Sequence, residues 1–193
     1  MEVSDMTIFD KLKSEPITDS TTLRLEGIQS ARKVYAPDGS AALLIVGKLS
    51  TDTDGLRDPG IQNYESTHQD QITYDSHPPT INSNVIPFGV IPIGMSARHG
   101  RQLEMGTLGT VFYNGRHVHI VYADAGPRTK FGEASIAVHR VLGIELVHNG
   151  HYTDSGIDSG VTQLIYLGSH LSLPLTVERI NAACEPLYAK FVS

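Results

Sequence analysis

Two carboxylates nine positions apart, Asp124 and Glu133, are the residues of this chain best suited to chemistry. Asp124 follows the run Arg116 to Tyr122, which reads as a strand. Gly126-Pro127 then turns the chain, and Glu133 opens a stretch, Glu133 to Leu142, whose pattern predicts a helix stopped by Gly143. Two acids carried on two rigid elements that face one loop suit hydrolysis of a glycosidic bond. One carboxylic acid protonates the leaving oxygen; the other carboxylate attacks, or activates water. A gap of about 6.5–9.5 Å admits a water and inverts the anomeric configuration, whereas a gap of about 5 Å makes the enzyme retaining. Both acids also have purely structural readings, Asp124 as a turn cap and Glu133 as a complement to a helix N-terminus. The expected helix start carries a tension: its dipole lowers a carboxyl pKa, whereas a general acid needs it raised.

A second acidic group lies upstream. Between Thr51 and Asp75, six acids (Asp52, Asp54, Asp58, Glu65, Asp70 and Asp75) stand against one base, Arg57, a net −5 in a chain of formal charge −6. Such a segment attracts cationic ligands; it is equally the composition of a solvated loop. Asp52 or Asp54 could serve as the water-activating base in place of Asp124. Asp52-Thr53-Asp54-Gly55 begins like a calcium loop, but Leu56 falls at the third acidic position and Arg57 where an EF-hand needs Gly, so no metal site is expected. His117-Val118-His119 sets two imidazoles on one strand face with no third ligand evident, and alternation with Val118 and Ile120 predicts both at the surface. Cys184, the single cysteine, can form neither an internal disulfide nor a Cys-based zinc site. No Gly-x-Ser-x-Gly elbow, phosphate loop or dinucleotide fingerprint is present, and no cofactor is expected.

These side chains must be carried largely by short strands. Leu23-Arg24-Leu25, Lys33-Val34-Tyr35, Ala41 to Val46, Val85 to Pro92, Thr110 to Tyr113, Arg116 to Tyr122 and Val161 to Leu167 are β-favouring runs. Asn114-Gly115 predicts a two-residue hairpin. Residues 50–84 read as one long loop, a length usually tied to function or disorder. Val177, Ile180, Cys184, Leu187 and Phe191 recur at helical spacing behind Thr176, a candidate N-cap. The expected fold is mainly β, a compact barrel with two or more α-helices packed outside. It is expected as one domain over residues 21–193, preceded by an arm, residues 1–20, with a helical turn near Ile8–Leu12. A 193-residue chain with 40% apolar and 19% charged residues supports one core. Its acidity argues against nucleic acid as a partner. No apolar run approaches the roughly 20 residues that span a bilayer, and the N-terminus lacks the basic start and apolar stretch of a secretory signal.

Ala123-Asp124-Ala125-Gly126-Pro127 and Gly132-Glu133-Ala134-Ser135-Ile136-Ala137 together resemble the signature of glycoside hydrolase family 75, the fungal-type chitosanases, with Ala123 in place of that family's glycine. Three further segments are similar to the family. They are Asp52-Thr53-Asp54-Gly55 followed by Asp58-Pro59 and Gln62, the run Val85 to Pro92, and Asp158-Ser159-Gly160-Val161 running on to Gly168-Ser169. The likeness spans about residues 40–170 in order. It implies an inverting endo-hydrolase cleaving β-1,4 bonds of chitosan, with Asp124 and Glu133 as the catalytic pair. The cysteines of fungal members are missing, which suggests a bacterial-type relative. The Asp-x-Gly-Pro strand end also resembles six-stranded double-psi barrels, an analogy of topology alone.

Asp52, Asp54, Asp58 and Gln62 are then candidate substrate-binding residues, because the amines of chitosan are cationic at mildly acidic pH. Tyr64, Tyr113 and Tyr122 are candidates for sugar contacts in a chain without tryptophan. With no visible signal, the protein either stays inside the cell or leaves it by a route that no cleavable signal marks; a polysaccharide substrate implies a place outside. Two other readings stay open: an exported antibacterial toxin that cleaves peptidoglycan glycan strands, and a barrel that binds glycans or a partner protein without chemistry.

Overall fold

Along the longest strand, Ala41–Asp52, successive residues enter different hydrophobic clusters: Ala42 and Leu44 one, Leu43 and Ile45 the other. A strand covered on both faces requires that split. The structure, a computed structural model, describes residues 9–18, 22, 24–61, 66–99, 102–152 and 156–193. In chain order the strands are β1 (Lys13–Pro16), β2 (Ile28–Tyr35), β3 (Ala41–Asp52), β4 (Phe88–Pro92), β5 (Leu108–Tyr113), β6 (Arg116–Gly126), β7 (Glu133–Ser135), β8 (Val147–His148), β9 (His151–Tyr152) and β10 (Ile157–Tyr166). The helices are α1 (Ile93–His99), α2 (Ile136–Val141) and α3 (Val177–Val192).

Six strands close into a barrel in the order β3-β10-β5-β6-β4-β7, with β7 returning to β3. The pairs β4–β6 and β3–β7 are parallel and the other four antiparallel. The interior cluster draws on all six strands, among them Leu43, Ile91, Val111, Ile120, Ala134 and Ile165. The outer face of β3, β5, β6 and β10 is covered by α3 through Ile180, Cys184 and Phe191. The mainly-β barrel with outside helices expected from the sequence is the fold of the chain.

Local chemistry explains the hairpin and the last helix. Asn114 and Gly115 have φ of 49° and 71°, the positive pair a type I′ turn requires. Thr176 accepts from the Arg179 N–H at 3.2 Å and caps α3. Cys184 is buried on the packed face of that helix, and burial pushes its thiol pKa up to about 12. A thiol so placed behaves as a small apolar residue.

Several expectations need correction. Arg24 and Leu25 lie in a turn and bend, not in a strand, and Leu23 is outside the described residues. Strand β3 runs on to Asp52, three residues into the expected loop, because Ser50–Asp52 pair with β7. Ile8 lies outside the described residues; Phe9–Leu12 form a turn, and Phe9 is fully buried against Phe112, 5.4 Å between ring centroids. His117 is exposed, but His119 is buried. Its Nδ1 stands 2.8 Å from Thr110 Oγ1 and its Nε2 3.0 Å from Glu185 Oε2, a carboxylate that α3 brings over the strand. Among the described residues, no helix is long and apolar enough to cross a membrane.

One buried group makes stability depend on pH. His139 on α2 is completely buried, its Nδ1–H donating to the Ser135 carbonyl at 3.1 Å, and burial lowers its pKa below the ordinary 6.5. Unfolding frees the imidazole to take a proton, so the unfolded state binds more protons just below pH 6.5 and stability falls as the pH is lowered through that range. The slope from this one group is at most about 1.4 kcal/mol per pH unit. Urea midpoints between pH 8 and pH 5 should show that decline, and His139→Gln should flatten it; an unchanged slope in the variant would assign the proton elsewhere.

Candidate functional site

A cleft of about 560 Å³ opens where the C-terminal ends of β3 and β6 meet β4 and the start of β7. Asp52, Asp54, Asp124 and Glu133 all line it, although they are drawn from segments up to 81 residues apart. Asp124 is carried two residues beyond Tyr122 on β6, in register with Val90 of β4 after a bulge. Three donors converge on its Oδ1: the Thr73 N–H at 2.8 Å, the Thr73 hydroxyl at 2.6 Å and the Ala125 N–H at 2.8 Å. All three need Oδ1 as an acceptor, so any proton on this carboxyl group resides on Oδ2. The side chain is buried and held in one orientation.

Glu133 does not open a helix. It is the first residue of β7, half-buried and in register with Ser50 of β3, and α2 begins three residues later at Ile136. Gly132, at φ +92°, turns the chain so that its carbonyl accepts from the Ser50 N–H at 2.6 Å. Ser135 is extended and locks the strand to the start of β4, its Oγ donating to the Ile86 carbonyl at 2.8 Å and accepting from the Phe88 N–H at 3.1 Å. The conflict between a helix dipole and a general acid therefore does not arise. Room for the carboxylate comes from Gly126, where a Cβ would stand 3.1 Å from Glu133 Oε2 and 2.5 Å from Val90 Cγ1.

Asp52, Asp54 and Asp124 form a buried cluster, each offering an oxygen within 4.8 Å of the other two. Asp52 also accepts from the Asp54 N–H at 2.8 Å, and Asp54 from the Gln69 N–H at 2.6 Å. The long loop is thereby pinned to the site it helps to line. Tyr74 N–H donates to the Ala123 carbonyl at 2.9 Å, and Leu56, Ile61, Ile72 and Ile81 anchor the loop in apolar clusters or at buried positions.

The other expected residues separate. Asp58 does not line the cleft: its oxygens accept from the Gly60 N–H at 2.9 Å and the Asn84 amide at 3.1 Å. Asp75 is consumed inside the loop by the N–H groups of Ser76, Thr80 and Ile81. Burial raises its pKa, and those donors outweigh it and hold the carboxyl below the usual range. Asp70 is fully exposed beside His68. Tyr122 cannot stack on a sugar. It is 1% exposed inside the barrel, where its hydroxyl donates to Gln163 Oε1 at 2.7 Å. Tyr113 sits at the Asn114-Gly115 hairpin. Gln62, Tyr64 and Glu65 lie outside the described residues. No described lining residue is aromatic, so a sugar here would be held by polar and ionic contacts.

Sequence reasoning missed Thr73. Nothing in its neighbourhood signals a role, because its partner Asp124 is 51 residues away. Thr73→Val keeps the N–H donor and removes the hydroxyl. On the glycosidase reading of the cleft, kcat should fall about 10-fold with little change in KM, a loss of about 1.4 kcal/mol of transition-state stabilisation. Thr73→Ser should restore it; equal kcat in Val and Ser variants would remove Thr73 from the site. No family model matches the chain, and no curated protein was found to match it.

Proposed function

We propose that this chain is an endo-acting, inverting glycoside hydrolase of a cationic amino-sugar polymer of the chitosan type. The observation that carries the reading is the convergence of Asp124 and Glu133 on one cleft. Glu133, at the half-buried start of β7, is the general acid that protonates the departing glycosidic oxygen. Asp124 takes a proton from the attacking water onto Oδ2, since Oδ1 is committed to its three donors. As the bond from the anomeric carbon to the leaving oxygen breaks, the bond to the water oxygen forms on the opposite face. The surplus of carboxylates draws in a polymer whose amines are protonated.

Release of reducing ends from soluble chitosan tests the reading, with purified peptidoglycan and fully acetylated chitin as parallel substrates. Proton NMR of the fresh product should show the α-anomer first. Turnover of peptidoglycan alone would favour the toxin reading, and binding without turnover on any of the three would leave a glycan-binding barrel.

A further inference from the structure

Strand β6 begins with a neighbour on one side only. Residues 116–120 pair with β5, whereas the pairing with β4 starts at Val121, opposite Phe88. Tyr113 and Arg116 close the two-residue hairpin as a hydrogen-bonded pair. Alternation then turns the N–H and C=O of Val118 and Ile120 toward β5, and those of His119 and Val121 toward the β4 side. Val121 finds β4 there, its N–H donating to the Pro87 carbonyl at 3.3 Å. At His119 the ladder stops. Pro87 has no N–H to donate. The chain before it turns away, the Val85 and Ile86 N–H groups both donating to the Asn82 carbonyl at 2.9 Å. Among the described residues, no strand lies beside this stretch of edge. A groove of about 390 Å³ follows it, lined by residues 117–119 and by side chains of α2 and α3. Val85 and Val141, 55% and 49% exposed, border the groove; they are two of the three exposed large apolar side chains among the described residues. Exposed apolar surface gathered in one place marks an interaction site.

We propose that an extended segment of a partner polypeptide, alternating β-branched apolar and basic residues, adds to β6 as a strand in this groove. The edge supplies main-chain donors and acceptors, which is how sheet edges capture extended peptides. The two faces of β6 set the alternation. Val118 joins the barrel interior with Val138 of α2, whereas His119 turns its ring to Glu185 of α3. A strand laid alongside sends every second side chain to each face. On the α2 side those side chains meet Ala137 and Val141, which are apolar. On the α3 side they meet Asn181 and Glu185, the only acid among the described lining residues and 70% exposed in its side chain. A lysine or arginine there complements the carboxylate. The groove shares no lining residue with the acidic cleft, so the inference stands whether or not the chain is a hydrolase.

The probe is a capped pentapeptide of alternating valine and lysine, titrated into the isotope-labelled full chain and followed by NMR. At saturation, hydrogen exchange at the His119 amide should slow at least about 10-fold, because that N–H gains a strand partner. The Val118 and Ile120 amides, already turned to β5, should exchange as before. Val141→Lys, at an exposed helix end, should melt like the parent and bind the peptide at least about 10-fold more weakly. Glu185→Gln should weaken binding several-fold and remove most of its salt dependence. The same peptide with its backbone N-methylated carries the same charges but no main-chain donors, and should not bind. No binding of the parent peptide, binding without slower exchange at His119, or equal affinity in Val141→Lys would overturn the inference. A free chain that dimerises with His119 already protected, and that Val141→Lys makes monomeric, would overturn it in favour of a second copy in the groove.

Discussion

Glu133→Gln should reduce turnover of chitosan by about 10²–10⁴-fold, the usual contribution of general acid catalysis. The substitution preserves the size and hydrogen-bonding reach of the side chain and removes only its ability to deliver a proton. Glu133 makes its backbone pairing to Ser50 through the chain, not the carboxylate, so β7 should stay in place. The melting temperature should match the parent, and the affinity for uncleaved oligosaccharide should be retained. That combination separates a reacting group from a residue that merely supports the fold. Near wild-type turnover would remove Glu133 from the chemistry and leave the Asp cluster without an acid.

Gly132→Ala is expected to have the largest effect on structure. A Cβ at this position would lie 2.3 Å from the Lys48 carbonyl oxygen, which is backbone and cannot swing away. The φ of +92° adds a conformational penalty of its own. Together these should cost about 2–5 kcal/mol. Part of the strain would be relieved by moving β7 off β3, carrying Glu133 out of the cleft, so turnover at 20 °C should fall as well. Gly115→Ala is the control, because it shares a positive φ of 71° but has open space around the added atom. It should lose about 1 kcal/mol and keep full activity. Equal losses in the two variants would show that the close approach to Lys48 carries no weight.

The parts of the fold that depend on near neighbours were legible in the sequence. Asn114-Gly115 and the Thr176 cap signal themselves within four residues, and both form as expected. The barrel class followed from many short β runs. What could not be read was pairing across long separations. Glu133–Ser135 is only three residues long and gains its strand character from Ser50–Asp52, more than 80 residues earlier, so its own pattern looked like the first turn of α2. Tyr122 looked available because alternation along a strand says which residues share a face, but not which face is the inside of a closed barrel. The same argument predicts His119 at the surface, and it fails because α3 lies over the strand there. Of the candidate site, Asp124 and Glu133 were readable from their local setting. The meeting of Asp124 with Asp52 and Asp54, and its tether to Thr73, exist only in three dimensions.

β7 pairs with β3 through three residues and with β4 through the single bridge Ala134 to Gly89. The clasp of the whole ring is thus its shortest strand, and the proposed acid is the first residue on it. Fraying of this clasp leaves the long antiparallel ladders intact but scatters the groups at the barrel's mouth. Heat should therefore silence the protein before it melts it, and a cross-link that fastens the clasp should bring the two temperatures together.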